Sequence, residues 1–245
     1  MTGNLFIDRL DTGDRDALAP LLMPTEVVAG ETLIDQGAPV ITVHFPTTAY
    51  LTNITLTPAG RRLQTALIGA EGMSGLAPFM ADVDCAWQVS SPSGGQVLAA
   101  PADRLRALMD ERPGFRRRLL ALTHFYQAQA NQLAVCNAFH RIEPRVARWI
   151  LTTEDLTGHR IHDVTQDEIA GYLGVQRTSV VTAFVDLKAS GLIAHRRGWL
   201  EIRDRSGLEA RACSCYRKLR QLGVDVGVLP EIEVAPIRRL RSRPG

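Results

Sequence analysis

Gln176, Arg177, Thr178, Ser179 and Thr182 recur at spacings that place them on the start and outer side of one helix. Hydroxyls and free N–H groups at a helix start suit phosphate, and a guanidinium can grip O6 and N7 of guanine. Thr165 and Gln166 begin the helix before it, on the approach to the same backbone. Arg196 and Arg197 stand at the tip of a following hairpin and suit neighbouring phosphates. An Arg alone on a surface helix is ordinarily just solvated. It is the combined pattern that points to double-stranded DNA.

The elements that must position these groups are legible between 164 and 204. Thr165 is an N-cap and Glu168 stands three residues later, so a capping box opens a helix. Ile169, Tyr172 and Leu173 form its apolar face, and Gly174 ends it with a turn that favours positive φ. A second helix, 176–190, buries Val180, Phe184 and Leu187, and Gly191 closes it. Two short strands at 192–193 and 199–202 flank His195, Arg196, Arg197 and Gly198. Helix, tight turn, helix and β-hairpin describe a winged helix-turn-helix.

At these residues the sequence resembles the Crp/Fnr family of bacterial transcription regulators, closely over 165–204 and loosely elsewhere. The resemblance implies that an Arg-Glu pair at the recognition-helix start and an Arg one turn on read bases. Arg177 holds the first Arg's place, while Thr178 stands where the Glu would be and Thr182 where the second Arg would be. One guanine contact is therefore expected, and the usual family operator is not.

A chain of 245 residues has room for two domains with cores of their own. Its 45% apolar and 22% charged residues are ordinary for a globular protein. It has no apolar run of about 20 residues and no basic, apolar leader, so a cytoplasmic location without a membrane partner is expected. Charge is divided unevenly: residues 1–140 carry 10 Lys/Arg and 13 Asp/Glu, hence −3, and residues 141–245 carry 18 and 13, hence +5. The basic half is the half with the helix-turn-helix, as a phosphate-binding surface needs.

The cysteines are Cys85, Cys136, Cys213 and Cys215, with no C-x-x-C pair. The Fnr branch uses an N-terminal cysteine group for its iron–sulfur cluster, and the first 80 residues here contain no Cys, so no such cluster is expected. Cys213 and Cys215, two apart in a predicted helix, point to different sides, and no partner set is evident. The expectation is reduced thiols and no metal. His159 and His162, lacking nearby Cys or carboxylate ligands, read as a solvated loop at 157–162.

The fold class expected is α+β: an N-terminal antiparallel β-roll, a long dimerisation helix and a C-terminal winged helix-turn-helix. Residues 4–22 read as a helical entry. From 26 to 100, short runs at 26–28, 32–34, 42–45, 49–56, 61–68, 87–90 and 96–99 alternate with Gly, Pro and Asp turns, which gives a small antiparallel sandwich or barrel. The family counterpart is a β-roll resembling cyclic-nucleotide-binding domains, and the sensor domain is placed at 1–110. Cyclic-nucleotide-binding relatives have a Gly-Glu pair for ribose and an Arg-Ser or Arg-Thr pair for the cyclic phosphate. Here the matching stretch, 69–76, has Glu71-Gly72 reversed, and no Lys or Arg occurs between Arg62 and Arg104. A buried phosphate would lack its cation, so no cyclic AMP is expected. Glu71, Gly72, Met73 and Ser74 remain candidates for an unknown small-molecule effector, or for a plain glycine turn.

A helix at 102–109 precedes a long one at 113–137, within a dimerisation unit at 111–138. Leu119, Tyr126 and Leu133 are seven apart, and Leu122, Gln129 and Cys136 form a companion row. Packing on the β-domain must take part of that face; the seam also suggests a homodimer, with Gln129 a polar specificity position. The winged domain is placed at 139–205, its first helix starting at Glu143-Pro144 with Val146, Trp149, Ile150 and Leu151 as core. The final unit is 206–245. Ser206 is read as the cap of one helix over 207–222, and a tail with Arg238, Arg239, Arg241 and Arg243 as a disordered basic arm.

The function expected is a homodimeric, sequence-specific transcription regulator acting on double-stranded DNA and RNA polymerase. The alternative is an effector- or partner-binding sensor module with little specific DNA binding of its own. No Ser/His/Asp arrangement, phosphate loop or carboxylate pair suggests an enzyme.

Overall fold

The computed structural model describes residues 1–196 and 198–230. The chain opens with α1 (Leu5–Asp8) and α2 (Thr12–Leu18). Asn4 caps α1, accepting from Ile7 N–H, and its amide donates to the carbonyls of Pro46 and Gly72, which joins the entry to the β-domain. The β-domain contains β1 (Met23–Val27), β2 (Glu31–Ile34), β3 (Thr42–Pro46), β4 (Leu51–Leu56), β5 (Arg62–Ile68), α3 (Leu76–Ala81), β6 (Gln88–Ser91) and β7 (Gly95–Pro101). They form two antiparallel sheets, ordered β1-β7-β3 and β2-β6-β4-β5. Val43, Phe45, Val89 and Val97 fill the space within, and Phe6 packs against both Phe45 and Phe115.

The helical half begins with α4 (Ala102–Glu111), α5 (Pro113–Phe139) and α6 (Ile142–Thr157). Pro113 occupies the first turn of α5, where its missing N–H is no loss. The 27 residues of α5 span about 40 Å. Then follow β8 (Ile161–Asp163), α7 (Gln166–Leu173), α8 (Arg177–Ala189), β9 (Ile193–Arg196), β10 (Trp199–Ile202), α9 (Arg205–Arg211) and α10 (Cys215–Asp225). Strands β8, β10 and β9 form a third sheet, with β10 central. The winged domain has its own core, built on Trp149, Ile169, Val180, Phe184, Leu187 and Leu200.

The β-domain and the winged domain meet at the β4–β5 hairpin. Ile54 of β4 is buried in the winged-domain core. Trp149 Nε1 of α6 donates to Gln64 Oε1 at 3.0 Å, and Gln64 Nε2 donates to Thr52 Oγ1 at 2.8 Å. The hairpin thus rests on the helices that carry the helix-turn-helix.

Several expectations need correction. The dimer seam cannot be Leu119, Leu122, Gln129 and Cys136, because all four are buried within their own chain. Leu119 and Leu122 belong to the β-domain core, with Tyr126 packed on it. Gln129 Oε1 accepts from Leu67 N–H at 3.0 Å, an edge group of β5 that would otherwise be orphaned. Leu133 is half-buried. The period was right, but the row that obeys it faces the β-domain as far as Gln129, and Cys136 packs on Cys213 and Cys215. The outward face of α5 instead carries Leu120, His124, Gln127, Asn131, Ala134 and Val135, with Phe139 exposed at its end.

The loop at 157–162 ends in strand β8, so His162 is buried beneath the wing rather than solvated. The single helix at 207–222 is two. Asp204 and not Ser206 caps α9, accepting from Gly207 N–H, and the chain breaks between Ala212 and Ser214. Cys213 N–H there donates to Pro144 C=O at 3.2 Å. Leu208 and Tyr216 join the winged-domain core, which therefore extends beyond residue 205. Arg197 and the tail arginines Arg238, Arg239, Arg241 and Arg243 lie outside the described residues.

Candidate nucleic-acid interface

The interface is built from α7, a tight turn and α8. The capping box at Thr165 forms in both directions: Thr165 Oγ1 accepts from Glu168 N–H, and Glu168 Oε2 accepts from Thr165 N–H at 2.7 Å. Gly174, at φ 65°, turns the chain in the left-handed region. A Cβ there would also lie 2.8 Å from Leu63 Cδ1 of the β4–β5 hairpin. The positive φ is what calls for glycine here, since the end of the Leu63 side chain can shift.

Val180, Ala183, Phe184 and Leu187 fasten α8 to the core, which leaves the opposite face free. Gln176, Arg177, Thr178 and Thr182 are exposed there, and Ser179 is half-buried. Thr165 is exposed and Gln166 half-buried at the start of α7. Arg177 Nε lies 3.5 Å from Asp167 Oδ1, with both side chains more than half exposed. An ion pair this open is worth little and is readily exchanged for a phosphate or a base edge. Thr182 Oγ1 donates to Thr178 C=O, committing its proton to the helix and leaving an acceptor. Val181 and Val185, 37% and 59% exposed on the same face, were missed by the sequence reading. Their signal is spacing: 178, 181, 182 and 185 share one side, and apolar side chains there match the thymine methyl group.

The hairpin β9–β10 forms the wing. His195 stacks on Phe184 with ring centroids 4.8 Å apart, tying the wing to α8, and Arg196 is exposed at the end of β9. Burial lowers the His195 pKa below the usual imidazole value and pushes that of His162 down to about 4.

The stretch from Glu71 to Ser74 is occupied by the fold itself. Glu71 is buried, its Oε1 accepts from Gly69 N–H at 2.9 Å, and burial pushes its carboxyl up. A Cβ on Gly72 would stand 1.7 Å from Tyr126 Oη, so this turn seats α5. Met73 is fully buried, and Ser74 Oγ accepts from His44 N–H at 2.9 Å. A cavity of about 380 Å³ lies beside them, lined by Asn53, Thr65, Met73, Trp87, Thr123 and Tyr126 among others. Among the described residues, Asn53 Oδ1, Trp87 Nε1 and Tyr126 Oη are buried without a hydrogen-bonding partner, and no Lys or Arg lines the cavity. A larger one, of about 740 Å³, opens between Glu71, Phe125, Asp155, Tyr216, Arg220 and Leu229.

Among the described residues, the group suited to a metal is one the sequence reading dismissed. Cys213 and Cys215 do not diverge on a helix, because the break between α9 and α10 falls at Cys213. Their thiols converge with Cys136 and His140, and the four ligand atoms all lie within 4.8 Å of one another.

A family model described as the Crp-like helix-turn-helix domain matches residues 144–211. A curated relative, the CRP-like cAMP-activated global transcriptional regulator of Mycobacterium tuberculosis, is 24% identical over 211 residues, covering 83% of this chain and 91% of the relative. Among solved structures, FixK2 from Bradyrhizobium japonicum has a TM-score of 0.68 at 17% identity, over 79% of this chain and 98% of its own. A CRP/FNR-family transcriptional regulator from Thermus thermophilus has a TM-score of 0.64 at 18% identity, over 78% of this chain and 98% of its own. The c-di-GMP responsive global regulator CLP of Xanthomonas campestris has a TM-score of 0.64 at 16% identity, over 78% of this chain and 99% of its own. These likenesses establish the fold: β-domain, long helix and winged helix-turn-helix in that order.

Proposed function

We propose that the chain is a transcription regulator of the Crp/Fnr type that binds a two-fold DNA site as a homodimer, with α8 as its reading helix. The observation that carries this is the division of α8: one face locked into the core by Val180, Phe184 and Leu187, the other presenting Arg177, Thr178, Val181, Thr182 and Val185. Arg177 takes a guanine and the valines contact thymine methyls. Gln166, Ser179 and Arg196 hold the flanking phosphates. The two reading helices enter major grooves about 34 Å apart. The exposed face of α5, with Leu120, Val135 and Phe139, is the surface offered to the second copy. On DNA, the dimer acts on transcription by RNA polymerase in the cytoplasm.

The 380 Å³ cavity is the place for an effector. Its unpaired carbonyl, indole and phenol groups and its lack of a cation favour an uncharged hydrogen-bonding ligand over cyclic AMP. Micromolar binding of cyclic AMP in a calorimetric titration would remove that reading.

The test of the function is selection from a random DNA pool at near-physiological salt, with wild type and Arg177→Ala side by side. A two-fold motif is expected. The variant should bind it more weakly by about 1–3 kcal/mol and lose preference at one base in each half-site. An unchanged motif would remove Arg177 from base reading. Failure to enrich any motif, with or without extracts of small molecules, would favour the sensor-module alternative.

A further inference from the structure

We propose that Cys136, His140, Cys213 and Cys215 form a closed tetrahedral site for one Zn²⁺ ion, which staples the end of α5 to the start of α10. Two local features create the cluster. Cys136 and His140 are one helical turn apart, and His140 is the C-cap of α5, its N–H still bonded to Cys136 C=O at 3.1 Å. Cys213 and Cys215 flank Ser214, the N-cap of α10, at the break after α9. A straight helix there would send the two thiols apart; the break sends them to the same place.

The dimensions suit a single ion. Cys136 Sγ lies 3.5 Å from Cys213 Sγ, and Cys215 Sγ lies 3.4 Å from His140 Nδ1. A tetrahedron with Zn–S of about 2.3 Å and Zn–N of about 2.0 Å has edges of roughly 3.5–3.8 Å. With every ligand atom within 4.8 Å of the others, an iron–sulfur cluster does not fit. Three soft thiolates and an imidazole with no open fourth position are a structural zinc set.

The surroundings point the same way. The three thiols make a buried group that belongs to neither the β-domain core nor the winged-domain core. Gln132 Nε2 approaches Cys215 Sγ at 3.0 Å, as an amide does when it supports a thiolate ligand. Arg145 and Arg148 are both buried, with Nε unpaired, and act electrostatically on Cys136 and Cys213. Among the described residues, neither pairs with a carboxylate. Three thiolates around Zn²⁺ leave one net negative charge, which one guanidinium suffices to offset. Binding displaces the thiol protons to solvent and involves no change of oxidation state.

The site joins the long helix to the winged domain. α5 carries the β-domain's core residues Phe115, Leu119, Leu122 and Phe125, whereas Cys213 follows directly on α9 of the winged domain. A metal across this joint fixes the winged domain against the long helix.

The experiment uses the full chain purified with reductant and without chelator. One Zn²⁺ per chain is expected by elemental analysis. After chelation, titration with Co²⁺ should saturate at one equivalent, giving the visible bands of tetrahedral cobalt and sulfur-to-cobalt charge transfer in the near ultraviolet; Zn²⁺ should erase both. His140→Cys should keep one equivalent with a shifted spectrum, and Cys215→Ser should lose charge-transfer intensity. His140 is only half-buried, so its variant folds even where a buried Cys→Ser change does not. Protein that holds no zinc, has all four thiols free and takes up no tetrahedral Co²⁺ would overturn the proposal. So would a cobalt spectrum unmoved by His140→Cys and Cys215→Ser.

Discussion

His44 and His162 are buried in different parts of the molecule, and burial pushes each imidazole down to about 4 from its ordinary 6.5. Both stay neutral in the folded chain, while an unfolded chain protonates them below about 6.5. Their contribution to stability is therefore complete above pH 6.5 and is lost as pH falls from there toward 4. The slope is at most about 1.4 kcal/mol per pH unit for each group. Glu71 works in the opposite sense, since its raised carboxyl pKa favours the folded state at low pH. The clean measurement is thus a difference between variants. His162→Leu, which keeps an apolar body under the wing, should flatten the pH dependence of the denaturation midpoint between about pH 6.5 and 4.5 by one proton's slope. Equal slopes in the two proteins would mean that His162 is solvated. None of this burial was legible in the sequence, where His162 sits beside His159 among polar residues. What decides it is β8 pairing with β10, a contact between residues far apart in the chain.

At the scale of the element, the helix-turn-helix was read almost to the residue, because its signals are local: a capping box, a glycine turn and a helical period. The dimer face was misread for a related reason. A period of about 3.5 on α5 identifies a seam without saying what fills it, and a β-domain is as good a partner as a second helix. Gln129 separates the two meanings. It satisfies Leu67 N–H inside its own chain, so Gln129→Leu should cost about 1–3 kcal/mol of fold stability and leave the dimer constant unchanged. Leu120 is 53% exposed on the opposite face, so Leu120→Glu should do the reverse, holding the thermal midpoint of the monomer and raising the dimer dissociation constant at least tenfold. Sedimentation velocity beside chemical denaturation checks both. A dimer weakened by Gln129→Leu and unaffected by Leu120→Glu would restore the original seam. The break between α9 and α10 was invisible for a different reason: no Gly or Pro marks it, and it is set by the tertiary bond from Cys213 to Pro144.

Across the whole molecule, the β4–β5 hairpin is where a ligand held by the β-domain would act on the winged domain. One end of this hairpin borders the 380 Å³ cavity through Asn53, Thr65 and Ala66, and its neighbours Ile54 and Gln64 touch the winged-domain core and Trp149. A ligand that moves β4 or β5 by a fraction of an ångström therefore acts on α6, which packs directly against α8 through the shared core. Coupling of this kind requires the ligand to bind two arrangements unequally. Trp149→Phe tests the link without touching α8. It removes the indole N–H, leaves Gln64 Oε1 buried and unpaired, and should lower stability by about 1–3 kcal/mol. The base preferences of the selected motif should stay as in wild type, because Arg177, Thr178 and Thr182 are untouched. If Trp149 is the link, filling the cavity should change the affinity of wild type for that motif and leave the affinity of the variant unchanged. A variant whose affinity still responds to cavity ligands as wild type does would place the coupling elsewhere, along α5 and the cysteine cluster at its end.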